Sequence, residues 1–164
     1  MSNTAPLRKT DAPIRTLEKH HTQRAAERAT EAELNRRGIS TAKTDGNEPS
    51  IDLVAIHPRG RLIPIEVKGQ QGRNDWFIAQ PQRDDTVYVL VSVPTTGLDA
   101  PGEFQFFIMT AAEIREVMET YLRDRRSRGT SDDKWKPAIR WRDGLPYKNC
   151  WNKLEGYQPS IEAR

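Results

Sequence analysis

The chain has 164 residues, of which 35% are hydrophobic and 30% are charged. This length predicts one domain with its own core, and the net charge of +3 permits nucleic-acid binding without requiring it. A single cysteine, Cys150, excludes an internal disulfide and a cysteine-rich zinc site. No apolar run reaches the length of a membrane span and no signal-peptide pattern opens the chain, so we expect a cytoplasmic protein without a membrane partner.

We expect the chain to divide into a short arm, one domain and a tail. Residues 1–13 combine polar side chains, proline and lysine with little apolar content, which predicts a mobile N-terminal arm. No internal repeat and no linker interrupts the remainder. Residues 14–157 are therefore predicted to form the single domain, and residues 158–164 a tail.

The first predicted element is a helix over residues 16–37. Its composition is rich in alanine and long polar side chains, and Gly38 supplies a C-terminal stop. Glu27 and Glu31 lie one turn apart on the same face of this helix. From the residues alone, both are interpreted as solvated helix charges.

Residues 39–44 are predicted to form the first strand, and the stretch 50–71 a β-hairpin. Two apolar runs flank the Pro-Arg-Gly sequence at 58–60, whose turn preferences predict a three-residue loop. The resulting register places Asp52 opposite Glu66. Because side chains alternate along a strand, Glu66, Lys68 and Gln70 share one face of the hairpin.

The charges on this hairpin need a chemical explanation. Directly opposed carboxylates such as Asp52 and Glu66 repel and destabilise a sheet, and a divalent cation would remove that repulsion. Hard oxygen ligands suit Mg²⁺ or Mn²⁺, and the ammonium of Lys68 would hold a water or a developing negative charge. The alternative is a hairpin with a solvated face, on which Lys68 pairs with one carboxylate.

Asp52, thirteen intervening residues and then Glu66-Val67-Lys68 resemble the active-site signature of the PD-(D/E)XK nuclease superfamily. That superfamily includes restriction endonucleases and Holliday junction resolvases. The proline that usually precedes the aspartate is replaced by Ile51. The resemblance implies an α/β fold with a restriction endonuclease-like core, in which helices flank a mixed β-sheet.

The resemblance also implies a function and a set of site residues. It implies Mg²⁺- or Mn²⁺-dependent hydrolysis of nucleic-acid phosphodiester bonds, with DNA as the favoured substrate and a homodimer as one option. Asp52 and Glu66 would hold the metal, Lys68 would be the catalytic lysine and Glu27 would assist the metal site. Glu31 competes with Glu27 for that role, and Gln70 is a further site candidate. The alternative function is an inactive nuclease-like fold used as a nucleic-acid-binding or assembly module.

The chain after the hairpin alternates between strands and helices. Residues 72–85 give no clear helix, although the superfamily places one there, and residues 76–78 predict a short strand or a packed loop. The β-branched run 86–93 predicts a buried central strand, and 104–109 another strand. The sequence Thr-Ala-Ala-Glu at 110–113 is a capping box that opens a helix running to about residue 126.

Residues 123–142 are rich in Lys and Arg, and Trp135 and Trp141 are interleaved with them. Basic residues with aromatics suit a surface that follows a phosphate backbone. We therefore predict that Arg125, Arg126 and Arg128 contribute to nucleic-acid binding. The alternative is a solvated helix end beside tryptophans that pack on the core.

Overall fold

The computed structural model describes residues 18–44, 50–94, 102–131 and 135–155. The predicted arm at 1–13 and tail at 158–164 lie outside these ranges. The strands are β1 Ser40–Lys43, β2 Leu53–Ile56, β3 Leu62–Gln71, β4 Trp76–Phe77, β5 Val87–Val93, β6 Gln105–Thr110 and β7 Ala138–Ile139. The helices are α1 Lys19–Arg36, α2 Ala111–Ser127, α3 Trp141–Gly144 and α4 Asn152–Glu155, with a 3-10 turn at Leu145–Tyr147.

Five strands form a mixed sheet in the order β1-β2-β3-β5-β6, and β4 pairs with β7 in a separate two-stranded ribbon. β3 and β5 run parallel, while the other neighbours in the large sheet are antiparallel. α1 packs over one face of the sheet, and α2 and the ribbon cover the other, in two distinct apolar clusters. The expected α/β class, a mixed sheet flanked by helices, is confirmed.

The β2–β3 hairpin has the predicted register, with Leu53 opposite Ile65 and Val54 opposite Pro64. The amide of His57 donates to the carbonyl of Arg61 at 2.8 Å. In an antiparallel pair only alternate positions exchange such bonds, and Pro64 occupies one of the positions that do not. Proline therefore costs this hairpin no ladder bond, and β3 continues unbroken as far as Gln71.

The other elements agree closely with the sequence. β5 is buried along its whole length, as a central strand should be. Thr110 and Glu113 form the predicted capping box at the start of α2. α1 ends where Gly38 adopts a φ of 78°, and the amide of Ile39 reaches back to the carbonyl of Leu34. No helix in the described ranges is both long enough and apolar enough to cross a membrane.

Candidate active site at the open end of the hairpin

The candidate site lies where β3 extends beyond β2. β2 begins at Leu53, whereas β3 continues to Gln71, so within the described ranges no strand pairs with this backbone edge of β3 from Val67 onward. Side chains take the place of that strand. Asp52 Oδ2 accepts a hydrogen bond from the amide of Val67 at 2.8 Å. An unpaired strand edge costs stability and attracts other chains, so this substitution stabilises the end of the hairpin.

Gln23 of α1 continues the same edge. Its Nε2 donates to the carbonyl of Val67 at 2.8 Å, and its Oε1 accepts from the amide of Gly69 at 3.0 Å. The same Nε2 lies 3.0 Å from Glu27 Oε1. One amide side chain therefore holds the backbone on both sides of Lys68 and orients Glu27 toward the same edge.

Gly69 allows α1 to come this close to β3. A Cβ at position 69 would lie 2.7 Å from the Cβ of Ala26 and 2.9 Å from the carbonyl oxygen of Thr22. Both separations are shorter than a normal contact, so any larger residue would push the helix away from the strand. The glycine thereby sets the distance over which Gln23 reaches the strand edge.

Glu66 is nearly buried, with 5% of the residue exposed, and is paired twice. Lys68 Nζ lies 2.8 Å from Glu66 Oε1. Tyr88 lies beside Glu66 in the parallel β3–β5 register and hydrogen-bonds to its carboxylate. Burial, followed by the charge of Glu66 and this hydrogen bond, raises the pKa of Tyr88 to about 12. Its hydroxyl therefore stays protonated at neutral pH and acts as a donor.

The charges of the three other predicted catalytic residues act on Asp52. Burial is the main cause of a raised pKa for Asp52, and the charges of Glu27 and Glu66 raise it further. The Val67 amide and the charge of Lys68 act in the opposite direction. The fold thus brings Glu66, Lys68 and Glu27 within electrostatic reach of Asp52.

The two secondary candidates have other partners. Glu31 pairs with Arg28 on the helix surface at 3.1 Å. Gln70 shares the face of Glu66, but its Nε2 donates to the carbonyl of Gly72 and its Oε1 accepts from the amide of Asn74. Gln70 therefore shapes the turn that follows β3.

The three arginines predicted to bind nucleic acid lie at the C-terminal end of α2. Arg125 is half-buried and donates to the carbonyl of Ser131, while Arg128 pairs with Asp124. Arg126 is exposed. Trp141 stacks against Trp76 in the second apolar cluster, as the core interpretation of the tryptophans proposed. A role for these arginines in binding stays a prediction.

Among the described residues, one group of three side chains brings metal-ligating atoms within 4.8 Å of one another: Glu18, His20 and His21. All three are exposed at the start of α1, and Glu18 already pairs with His20 at 3.4 Å. Asp52 and Glu66 belong to no such group of three. They offer a pair of carboxylates, and the negative charge of Glu27 also acts on Asp52.

A cleft of about 810 Å³ opens beside Lys68. Its walls come from the first turns of α1, the end of β3 and the connection from β3 to β4. Three basic side chains line it, from Lys19, Lys68 and Arg73. Of the four predicted catalytic residues Lys68 alone lines this cleft, and the basic lining has the charge that suits an anionic polymer.

Sequence reasoning missed two residues of this arrangement, Gln23 and Tyr88. Gln23 precedes Glu27 by one helical turn and therefore shares its face, which is the one signal that pointed to it. Tyr88 carries no local signal, because its proximity to Glu66 depends on how β5 is paired with β3.

Comparison with known proteins gives a structural likeness but no family. No protein-family model matches the chain, and no curated protein matches it. Among solved structures the chain is similar to a bacterial homing endonuclease, I-Ssp6803I, with a TM-score of 0.49 and 17% identity over 84% of this chain and 91% of that chain. A likeness at this TM-score is not evidence of activity.

Proposed function

We propose that the chain is a Mg²⁺-dependent nuclease that hydrolyses phosphodiester bonds, with DNA as the favoured substrate. One observation carries the proposal. Asp52 and the Glu66–Lys68 pair meet at the open edge of β3, within reach of the charge of Glu27 and beside a basic cleft. A surface that only bound nucleic acid would gain nothing from carboxylates that repel phosphate, whereas a hydrolytic site uses them to hold a cation.

The donor set suits Mg²⁺ or Mn²⁺ by its ligand chemistry, while the carboxylate oxygens of Asp52, Glu66 and Glu27 do not all lie within 4.8 Å of one another. Asp52, Glu66 and Glu27 offer carboxylate oxygens, the hard ligands that these cations prefer. Asp52 uses Oδ2 for the Val67 amide, which leaves Oδ1 available to a cation. A cation would also offset the repulsion that contributes to the raised pKa of Asp52. When bound, it would supply positive charge at the scissile phosphate.

The protein side chains divide the remaining work. Lys68 would direct its ammonium at the attacking water and at the charge that grows on the phosphate, where a fixed cation in a shielded site is most effective. Tyr88 would hold Glu66 in place through its hydroxyl. Glu27, itself held by Gln23, would orient water near the metal ligands.

The alternative, an inactive nuclease-like fold that binds nucleic acid, is favoured by one contact. Lys68 Nζ lies 2.8 Å from Glu66 Oε1 and offsets its charge. If the two residues serve only to form this ion pair, Mg²⁺ should neither bind to the protein nor stabilise it. The two functions therefore differ in a measurable response to the metal.

The test combines cleavage with thermal unfolding. Wild type should cut at least one of a panel of duplex, single-stranded and branched DNA substrates in Mg²⁺ or Mn²⁺, and the metal should raise its melting temperature. Lys68→Ala should lower cleavage by about 10²-fold or more while keeping the metal-induced rise. It should also lose roughly 1–2 kcal/mol of metal-free stability, since it leaves Glu66 less well paired.

Lys153→Ala is the matched control. Lys153 Nζ makes an ion pair of similar length, 2.7 Å, with Glu113 and is also partly buried. This variant should lose stability to a comparable extent but should keep both cleavage and the metal response. A wild-type protein that shows no metal effect and no cleavage of any substrate would refute the nuclease assignment.

A further inference from the structure

The β4–β7 ribbon presents one large aromatic side chain to solvent. Phe77 is 66% exposed, whereas its neighbour Trp76 is 1% exposed and faces the core. The ribbon is held firmly, because Trp76 pairs with Ile139 and donates from its Nε1 to the carbonyl of Val91. Phe77 is therefore an exposed ring on a rigid support.

Phe77 stands where two clefts meet. It lines the 810 Å³ cleft beside Lys68 and also an adjoining cleft of about 500 Å³, and Lys19 lines both. Lys136 lines the second cleft, and Asp75 is the one acidic side chain among the described residues that line the pair. The two clefts thus form one surface, lined by lysines and by the ring of Phe77, that extends from Lys68 to Lys136.

Leu62 shows why position matters more than exposure. It is 61% exposed, but it lies at the loop end of the hairpin and lines neither cleft. A single exposed apolar side chain of that kind is ordinary on a protein surface. Phe77 differs because its ring is flat, rigidly mounted and flanked by lysines, which are the components of a surface for single-stranded nucleic acid.

We propose that Phe77 is a stacking platform for an unpaired base of the nucleic acid, whose phosphates follow Lys19 and Lys136. This inference rests on the proposed function and names its substrate class. The bases of an intact duplex are stacked on one another and offer no face to a protein ring. The preferred substrate is therefore single-stranded, or branched with unpaired nucleotides close to the bond that is cut.

Binding without divalent cations tests the platform separately from catalysis. In EDTA, Phe77→Ala should weaken binding to a single strand and to a branched substrate by about tenfold and leave duplex binding unchanged. Phe77→Trp should restore the loss, since it keeps a flat ring. Leu62→Ala, the control, should match wild type on all three. A 2-aminopurine base in the single strand should be quenched by wild type and by Phe77→Trp but not by Phe77→Ala.

The lysines should behave differently from the ring. Lys19→Ala and Lys136→Ala should weaken binding to every substrate and each lower the salt slope by about one. The platform is wrong if Phe77→Ala binds a single strand as well as wild type does, or if it loses duplex binding equally. Cleavage by wild type that is unaffected by Phe77→Ala would also overturn the platform while leaving the nuclease proposal intact. Phe77-dependent binding without any cleavage would support the platform and overturn the nuclease.

Discussion

The hydrogen bond from the Val67 amide to Asp52 predicts that two substitutions of Asp52 will differ in stability. Asp52→Asn removes the negative charge but keeps an oxygen that can accept from Val67. Asp52→Ala removes both and leaves a backbone donor without its partner. We expect Asp52→Asn to be at least as stable as wild type without metal, and Asp52→Ala to be less stable than Asp52→Asn.

The magnitude follows from the bond and its surroundings. Losing the acceptor of a partly buried amide costs about 1–3 kcal/mol. For a chain of this size, each kcal/mol lowers the melting temperature by roughly 2–4 °C. Asp52→Ala should therefore melt several degrees below Asp52→Asn. Removing the charge is favourable because burial and two neighbouring carboxylates raise the pKa of Asp52, so that its ionised form is penalised in the folded state.

The same cause sets the direction of the pH dependence. A raised folded-state pKa means that the penalty is absent below the unfolded value of 3.8 and complete above the folded value. The advantage of Asp52→Asn over wild type should therefore shrink as the pH falls toward 3.8. Mg²⁺ should reverse the order near neutral pH, since only the ionised aspartate of wild type binds it well.

The assay is urea unfolding of the three proteins from neutral pH to about pH 4, with Mg²⁺ and with EDTA. Urea midpoints give the free energies of unfolding at each pH, provided that the slopes agree. The argument fails if Asp52→Ala is as stable as Asp52→Asn in EDTA, because the Val67 bond would then contribute nothing. It also fails if wild type exceeds Asp52→Asn near neutral pH without metal.

Two further substitutions test how the site is built. Gly69→Ala should lower the free energy of unfolding by about 1–3 kcal/mol through overpacking against Ala26. It should also lower cleavage, since the helix that carries the strand-edge contacts must move. Unchanged urea unfolding would contradict the close approach of helix and strand. Tyr88→Phe keeps the ring but removes the hydroxyl that donates to Glu66, and should lose about 1–2 kcal/mol; an unaltered urea midpoint would show that this hydrogen bond contributes no stability.

The hairpin shows how far local patterns reach. The turn preferences at residues 58–60 and the alternation of apolar side chains predicted a register that the structure contains. The same register placed Asp52 beside the end of β3, but it did not predict the hydrogen bond that Asp52 accepts from a backbone amide. Asp52 was expected to face Glu66 as a directly opposed carboxylate, whereas its Oδ2 bonds to the next amide along, that of Val67.

The sequence by itself determined the two long helices, the strands of the large sheet, the hairpin register and the placement of Asp52, Glu66 and Lys68 on one hairpin. These depend on turn chemistry and side-chain alternation, which are properties of neighbours in the chain. Only the tertiary structure decided that Gln23 completes the open edge of β3 and that Phe77 lines both clefts. Both depend on contacts between distant segments, whose geometry is set by packing across the whole core and not by the spacing of residues along the chain.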